Sequence, residues 1–166
     1  MSIVDQIKQK TGVQFRAATR QELEQLRALR MPPDLIEFYS NSAPVELVEI
    51  ERVRLWPVSD LVVENKDAVP GYYSMPCGYS VFASNDSGDA YCFDTFGASG
   101  ATARVVLIAH DLEPEDDRMV REDLAKLTKP IADNFAQFLE GFVTGTLDRE
   151  PIYPRFDFGK GSNGTA

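Results

Sequence analysis

Tyr79-Ser80-Val81-Phe82-Ala83-Ser84-Asn85-Asp86-Ser87-Gly88-Asp89-Ala90-Tyr91-Cys92-Phe93-Asp94 is the stretch that decides the fold. Two runs rich in aromatic and β-branched residues, 79–84 and 90–94, flank five polar residues. Gly88 within that polar segment supplies the positive φ that a hairpin turn with a bulge needs. Both alternating sets of positions carry large side chains, so neither face of these strands suits water. Such strands belong in the middle of a sheet with helices over at least part of both sides.

Working back toward the N-terminus, residues 45–55 change to a period of two, with Val45, Leu47 and Glu49 followed by Val53, Leu55 and Trp56, which predicts two strands or one long bent strand. Residues 57–64 suit a short helical turn, and residues 66–78, rich in Pro, Gly and Tyr, read as a loop. Three helices are expected before these. Ile3, Val4 and Ile7 form an apolar stripe that stops at Thr11-Gly12. Thr19 and Glu22 have the spacing of a capping box, which starts a helix at Arg20 with Leu23, Leu26 and Leu29 on one face. Met31-Pro32-Pro33 ends it and begins the next, because proline disfavours the α region in the residue before it yet fits a first helical turn.

Beyond the hairpin, residues 104–109 with Val105, Val106, Leu107 and Ile108 predict a further buried strand. Glu113-Pro114-Glu115-Asp116-Asp117 reads as an acidic loop, and residues 122–127 as a short helix or connector. Ile131, Phe135, Phe138, Leu139, Phe142 and Val143 recur at helical spacing with Gly145 as a stop, so a closing helix lays its apolar face on the sheet. The order of elements is that of an α+β domain.

A chain of 166 residues is long enough to bury a real core, and one domain over residues 1–154 with a flexible tail over 155–166 is expected. The net charge of −9 repels phosphate backbones and attracts basic surfaces, which disfavours direct nucleic-acid binding. No apolar run reaches the length of a membrane span and the first residues lack the apolar stretch of a signal peptide. Cys77 and Cys92 are the only cysteines, and with no CxxC spacing they fit reduced thiols in the cytoplasm.

Catalytic and ligand-binding chemistry is weak in this sequence. Asn85, Asp86, Asp89 and Asp94 gather oxygen atoms, but they lack the alternating acidic positions and distal glutamate of a calcium loop, and turn chemistry accounts for them. Gly159-Lys160-Gly161-Ser162-Asn163-Gly164 spells GxGxxG without the strand and helix that a dinucleotide site requires. His110, the one histidine, and the two cysteines have no spacing that brings them together. No cofactor, metal or catalytic residue is assigned.

Three features in order resemble one family. They are the helix ending Leu29-Arg30-Met31-Pro32-Pro33-Asp34-Leu35 and continuing through Phe38-Tyr39, the hairpin from Val81 to Asp94, and Ile131-Ala132-Asp133-Asn134-Phe135-Ala136-Gln137-Phe138-Leu139. Together, over about residues 20–143, they resemble the SUKH superfamily, which includes the yeast cell-wall-synthesis regulator group and many bacterial immunity proteins. Members often have Asn-Gly closing the helix after the aromatic pair, where this chain has Asn41-Ser42. The resemblance implies a mostly antiparallel sheet packed by several helices. It also implies a non-enzymatic domain that binds another protein: in the bacterial branch a toxin, often a nuclease, neutralised by direct contact; in the yeast branch endogenous partners of a regulatory or scaffold module.

A nuclease presents a basic cleft, so carboxylates and aromatic anchors are the expected contact residues. The acidic candidates are Glu46, Glu49 and Glu51 before the hairpin, Asp86 and Asp89 in its turn, and Glu113, Glu115, Asp116 and Asp117 after it. Tyr72, Tyr73 and Tyr79 are the aromatic ones.

Overall fold

The computed structural model describes residues 1–96, 100 and 102–153. The expected tail at 155–166, with its GxGxxG string, lies outside the described residues.

Six strands form one wholly antiparallel sheet in chain order: β3 (Val48–Ile50), β4 (Val53–Leu55), β5 (Tyr79–Asn85), β6 (Ala90–Asp94), β7 (Val105–Ile108) and β8 (Lys129–Ala132). A two-stranded ribbon pairs β1 (Phe15–Arg16) with β2 (Ala43–Pro44). The quoted hairpin therefore supplies the two central strands, and every residue of β5 and β6 is buried. Alternation sorts their side chains onto two cores. Phe82, Tyr91, Phe93, Val105 and Leu107 face a large core built with α1 (Ile3–Thr11), α2 (Arg20–Ala28), α3 (Pro33–Asn41), α4 (Val58–Lys66) and α7 (Phe135–Thr144). Tyr79, Val81, Ala90, Cys92, Val106 and Ile108 face a smaller core closed by Leu112 and by Leu124 of α6 (Arg121–Ala125).

Local chemistry sets most boundaries. Ser2 caps α1 by accepting from the Asp5 amide, and Gly12 closes it at φ 74°. The Thr19–Glu22 capping box is present in full, and Pro33 occupies the first turn of α3. Ser42 ends α3 at φ −149°, an extended conformation that needs no glycine, which explains the absence of Asn-Gly there. At the end of α2 the Arg30 and Met31 amides donate to the Arg27 and Leu26 carbonyls, a Schellman arrangement whose left-handed position usually holds glycine. Here Arg30 holds it at φ 61°. Removing that strain, Arg30→Gly is expected to raise stability by about 0.5–1 kcal/mol in a thermal or urea melt.

The β5–β6 pairing slips at Phe82, where Val81 faces Cys92 and Ala83 faces Tyr91. β4 reaches only as far as Ala83, so the Val81 amide and carbonyl need another partner. The buried Asn65 of α4 meets both, at 2.8 Å each, which satisfies a backbone that would otherwise be stranded in the core.

Three expectations need correction. Ile131 belongs to edge strand β8 and not to the closing helix. Pro130 cannot donate to a ladder but is tolerated at an edge, and Asn134, extended at φ −160°, starts α7 by accepting from the Gln137 amide. Residues 58–66 form the nine-residue helix α4, longer than a turn, because Leu61 and Asn65 anchor it to the core. Residues 66–78 are not an irregular loop: α5 (Gly71–Ser74) and a 3-10 turn, Met75–Cys77, lie within them. The strands of residues 48–55 are joined by a two-residue turn in which Glu51 and Arg52 both take positive φ, 48° and 68°. That is the backbone of a type I′ turn, made here without Asn or Gly.

Candidate protein-binding surface

Tyr72 and Tyr73 are presented by α5, and a glycine places them. A Cβ on Gly71 would lie 1.8 Å from the Glu64 carbonyl oxygen, so only glycine lets α5 abut the end of α4. The two rings meet edge to face at 5.0 Å. The Tyr73 hydroxyl donates to Asp117 at 2.6 Å, and the Tyr72 hydroxyl approaches the same carboxylate at 3.4 Å. The hydrogen bond to Asp117 pushes the Tyr73 phenol above its ordinary range. Asp116 and Asp117 hold left-handed backbone, φ 59° and 52°, in the 3-10 turn Glu115–Asp117. An open cleft of about 400 Å³ lies between the tyrosines and Pro76, Cys77, Arg118 and Met119. Residues 44 positions apart, Tyr73 and Asp117, thus make one surface of exposed ring and carboxylate.

The remaining acidic candidates fall elsewhere. Glu49 pairs with Arg54 at 3.0 Å on β3 and β4. Glu51 lies in the turn beyond β3, where its carbonyl accepts from Arg149. Asp86 pairs with Arg52 at 3.5 Å. Because Val53 faces Asn85 across β4 and β5, Glu51 and Asp86 lie at the hairpin-turn end of the sheet, whereas Cys77 precedes the start of β5 at the other. Glu46 is exposed in the β2–β3 connection, and Glu113 is exposed on the approach to Asp117.

Two candidates are buried. Asp89 is 1% exposed. Its Oδ1 accepts from the His110 amide at 3.0 Å and faces His110 Nδ1 at 2.7 Å, while Oδ2 accepts from Asn85 Nδ2 at 2.8 Å. Asn85 Oδ1 in turn accepts from the Ser87 and Asp89 amides, an Asx turn that organises the hairpin. Asp89 is consumed by that internal network. Tyr79, the first residue of β5, is fully buried because its side chain points into the smaller core.

The cysteines do not read as nucleophiles. Cys77 donates to the Met119 carbonyl and burial raises its thiol pKa, as it does more strongly for Cys92. His110 is held at the hairpin turn by Asp89, at the far end of β5 from Cys77. Among the described residues no group of His, Cys, Asp and Glu is arranged to hold a metal ion, and no helix is long and apolar enough to cross a membrane.

The model of the SMI1 / KNR4 family (SUKH-1) matches residues 17–141, from just before the Thr19 capping box into α7. The chain belongs to the SMI1 / KNR4 family (SUKH-1). The matched span takes in both central strands, the Tyr72–Tyr73 pair and the Asp117 turn; α1 and the segment after α7 lie outside it. Comparison with curated proteins gives no match. The family assignment agrees with the α+β architecture of a six-stranded antiparallel sheet and seven α-helices among the described residues.

Proposed function

We propose that this chain is a non-enzymatic, cytoplasmic immunity protein that binds a cognate toxin domain, such as a nuclease, and blocks its active site or the approach of its substrate. Membership in the SUKH-1 family supports a protein partner. The net charge of −9 supports a basic one. The single observation that carries the reading is the surface where Tyr72, 45% exposed, and Tyr73 converge on Asp117. Two rings held by helix packing and hydrogen bonding lose little freedom on binding, and tyrosine beside charge is the chemistry of an interface hot spot.

The test reads the frames neighbouring the gene and mixes the chain with any toxin-like domain they encode. A one-to-one complex that weakens as salt rises and abolishes toxin activity is expected; full toxin activity in the mixture would sink the proposal. Tyr73→Ala is expected to weaken that complex by about 2 kcal/mol, roughly thirtyfold in Kd by calorimetry. Tyr73→Phe keeps the ring and loses only the bond to Asp117, so a much smaller effect is expected.

A further inference from the structure

The acidic composition conceals one basic, aromatic patch. Phe96 is 56% exposed, and the guanidinium carbons of Arg30 and Arg121 lie 5.5 and 4.9 Å from its ring centroid. The ring is seated on Gly78, where a Cβ would fall 2.6 Å from it. Beside it a groove of about 240 Å³ is lined by Met31, Pro32, Pro33 and Ala103. The charge balance is uneven. Asp94 receives Arg121 at 2.8 Å on Oδ1 and Arg104 at 3.2 Å on Oδ2, while Arg30 has no ion pair among the described residues. Arg104 and Arg121 thus share one carboxylate, Arg30 faces the same ring as Arg121, and the sequence from Thr95 to Ala103 holds no ionisable side chain. Arg30 also retains a side chain at a strained left-handed position where glycine would be easier. Strain of that kind is expected where the side chain itself has work to do.

We propose that this patch docks an acidic, apolar peptide segment of a partner protein. A carboxylate is received by Arg30, and a neighbouring apolar side chain enters the groove against Phe96, the ring that Arg121 also faces. Arginine suits the role because its planar fork receives a carboxylate and stacks on a ring together. The inference goes beyond toxin neutralisation, since it assigns a second surface with the opposite charge preference. A single-stranded nucleic acid would offer the same pairing of anion and flat ring, but a chain of net charge −9 repels its backbone.

The experiment uses the full chain, labelled for arginine Nε–Hε detection by NMR. Three fluorescein-labelled probes are compared: an amidated nonapeptide alternating glutamate with leucine and phenylalanine, its glutamine counterpart, and a uridine oligonucleotide. The glutamate peptide is expected to shift the Arg30 and Arg121 resonances and to bind about tenfold tighter than the glutamine peptide, less so at high salt. Arg30→Gly is expected to lose about tenfold in affinity with a Tm unchanged or raised. Arg30→Gln, which keeps the backbone strain, isolates the charge and is expected to lose the same. Equal binding of the two peptides, no binding of the glutamate peptide at millimolar concentration, unaltered binding by the Arg30 variants, or preference for the oligonucleotide would each overturn the proposal. Toxin neutralisation is assayed in parallel: its failure with peptide binding intact removes the immunity reading alone, and the reverse result removes this one alone.

Discussion

Phe138→Ala is expected to lower the unfolding free energy by about 4 kcal/mol. Phe138 is fully buried and connects α7 to both central strands. Its ring meets Phe82 at 4.7 Å and Tyr91 at 5.3 Å, with Phe135 and Phe142 at 6.4 and 6.2 Å along the helix. Phe82 is itself stacked on Phe93 at 4.2 Å. Truncation removes transfer free energy and leaves a cavity walled by rigid rings that cannot easily collapse into it. Phe138→Leu keeps most of the volume and is expected to cost about 1.5 kcal/mol. Urea melts at matched m-values measure both; a loss under about 1 kcal/mol for the alanine variant would show that the aromatic cluster repacks.

Asp89→Ala is expected to cost about 3 kcal/mol although Asp89 lies in a polar turn. Its carboxylate accepts from Asn85, from the His110 amide and from the His110 ring. A carboxylate only accepts, so Nδ1 is the protonated ring nitrogen. Alanine would take away the acceptor of the His110 amide and one of the two acceptors of the buried Asn85 Nδ2, which keeps the Arg149 carbonyl, and an unmet buried donor costs more than an ordinary hydrogen bond is worth. Asp89→Asn spares the bonds to His110 but sets an amide nitrogen against Asn85 Nδ2, so an intermediate loss is expected. Asp86→Ala, three residues earlier and exposed, is expected to change stability by less than about 0.5 kcal/mol. If Asp89→Ala proves as mild as Asp86→Ala in a thermal melt, the network is not what holds the hairpin. The contrast matters for mapping any interface, because loss of binding in an Asp89 variant would report unfolding and not contact.

The two charged surfaces meet along one short stretch of chain. Cys77 lines the tyrosine cleft, Gly78 seats Phe96, and Arg121 donates to the Cys77 carbonyl while facing Phe96. The carboxylate-rich and arginine-rich lobes are therefore neighbours at the end of the sheet opposite the hairpin turn. A partner that reads both would need charges of both signs in a fixed order, which is a source of specificity more than of affinity.

How far the sequence reaches can be judged residue by residue. Thr19 with Glu22, Pro33, Gly12 and Gly145 act through their own neighbours in the chain, so the helix ends they make are legible from spacing alone. The hairpin was legible for the same reason, and large side chains on both faces of 79–84 and 90–94 placed it at the centre of the sheet. Strand β8 was not, because Ile131 happens to fall in phase with α7 and only pairing with β7 makes it a strand. The Glu51-Arg52 turn carries no turn-forming residue, and its positive φ values are imposed by the register of β3 on β4. Exposure was the least legible property. Asp86 and Asp89 share one turn, and Tyr73 and Tyr79 share one aromatic segment, yet in each pair one side chain faces water and the other is enclosed. By itself the sequence determined the fold class, the central hairpin and the helix caps, since those depend on interactions a few residues long. Only the tertiary structure decided which polar groups are spent inside, that Tyr73 meets Asp117, and that Arg30 and Arg121 share Phe96, because burial and charge pairing depend on what lies across space and not along the chain.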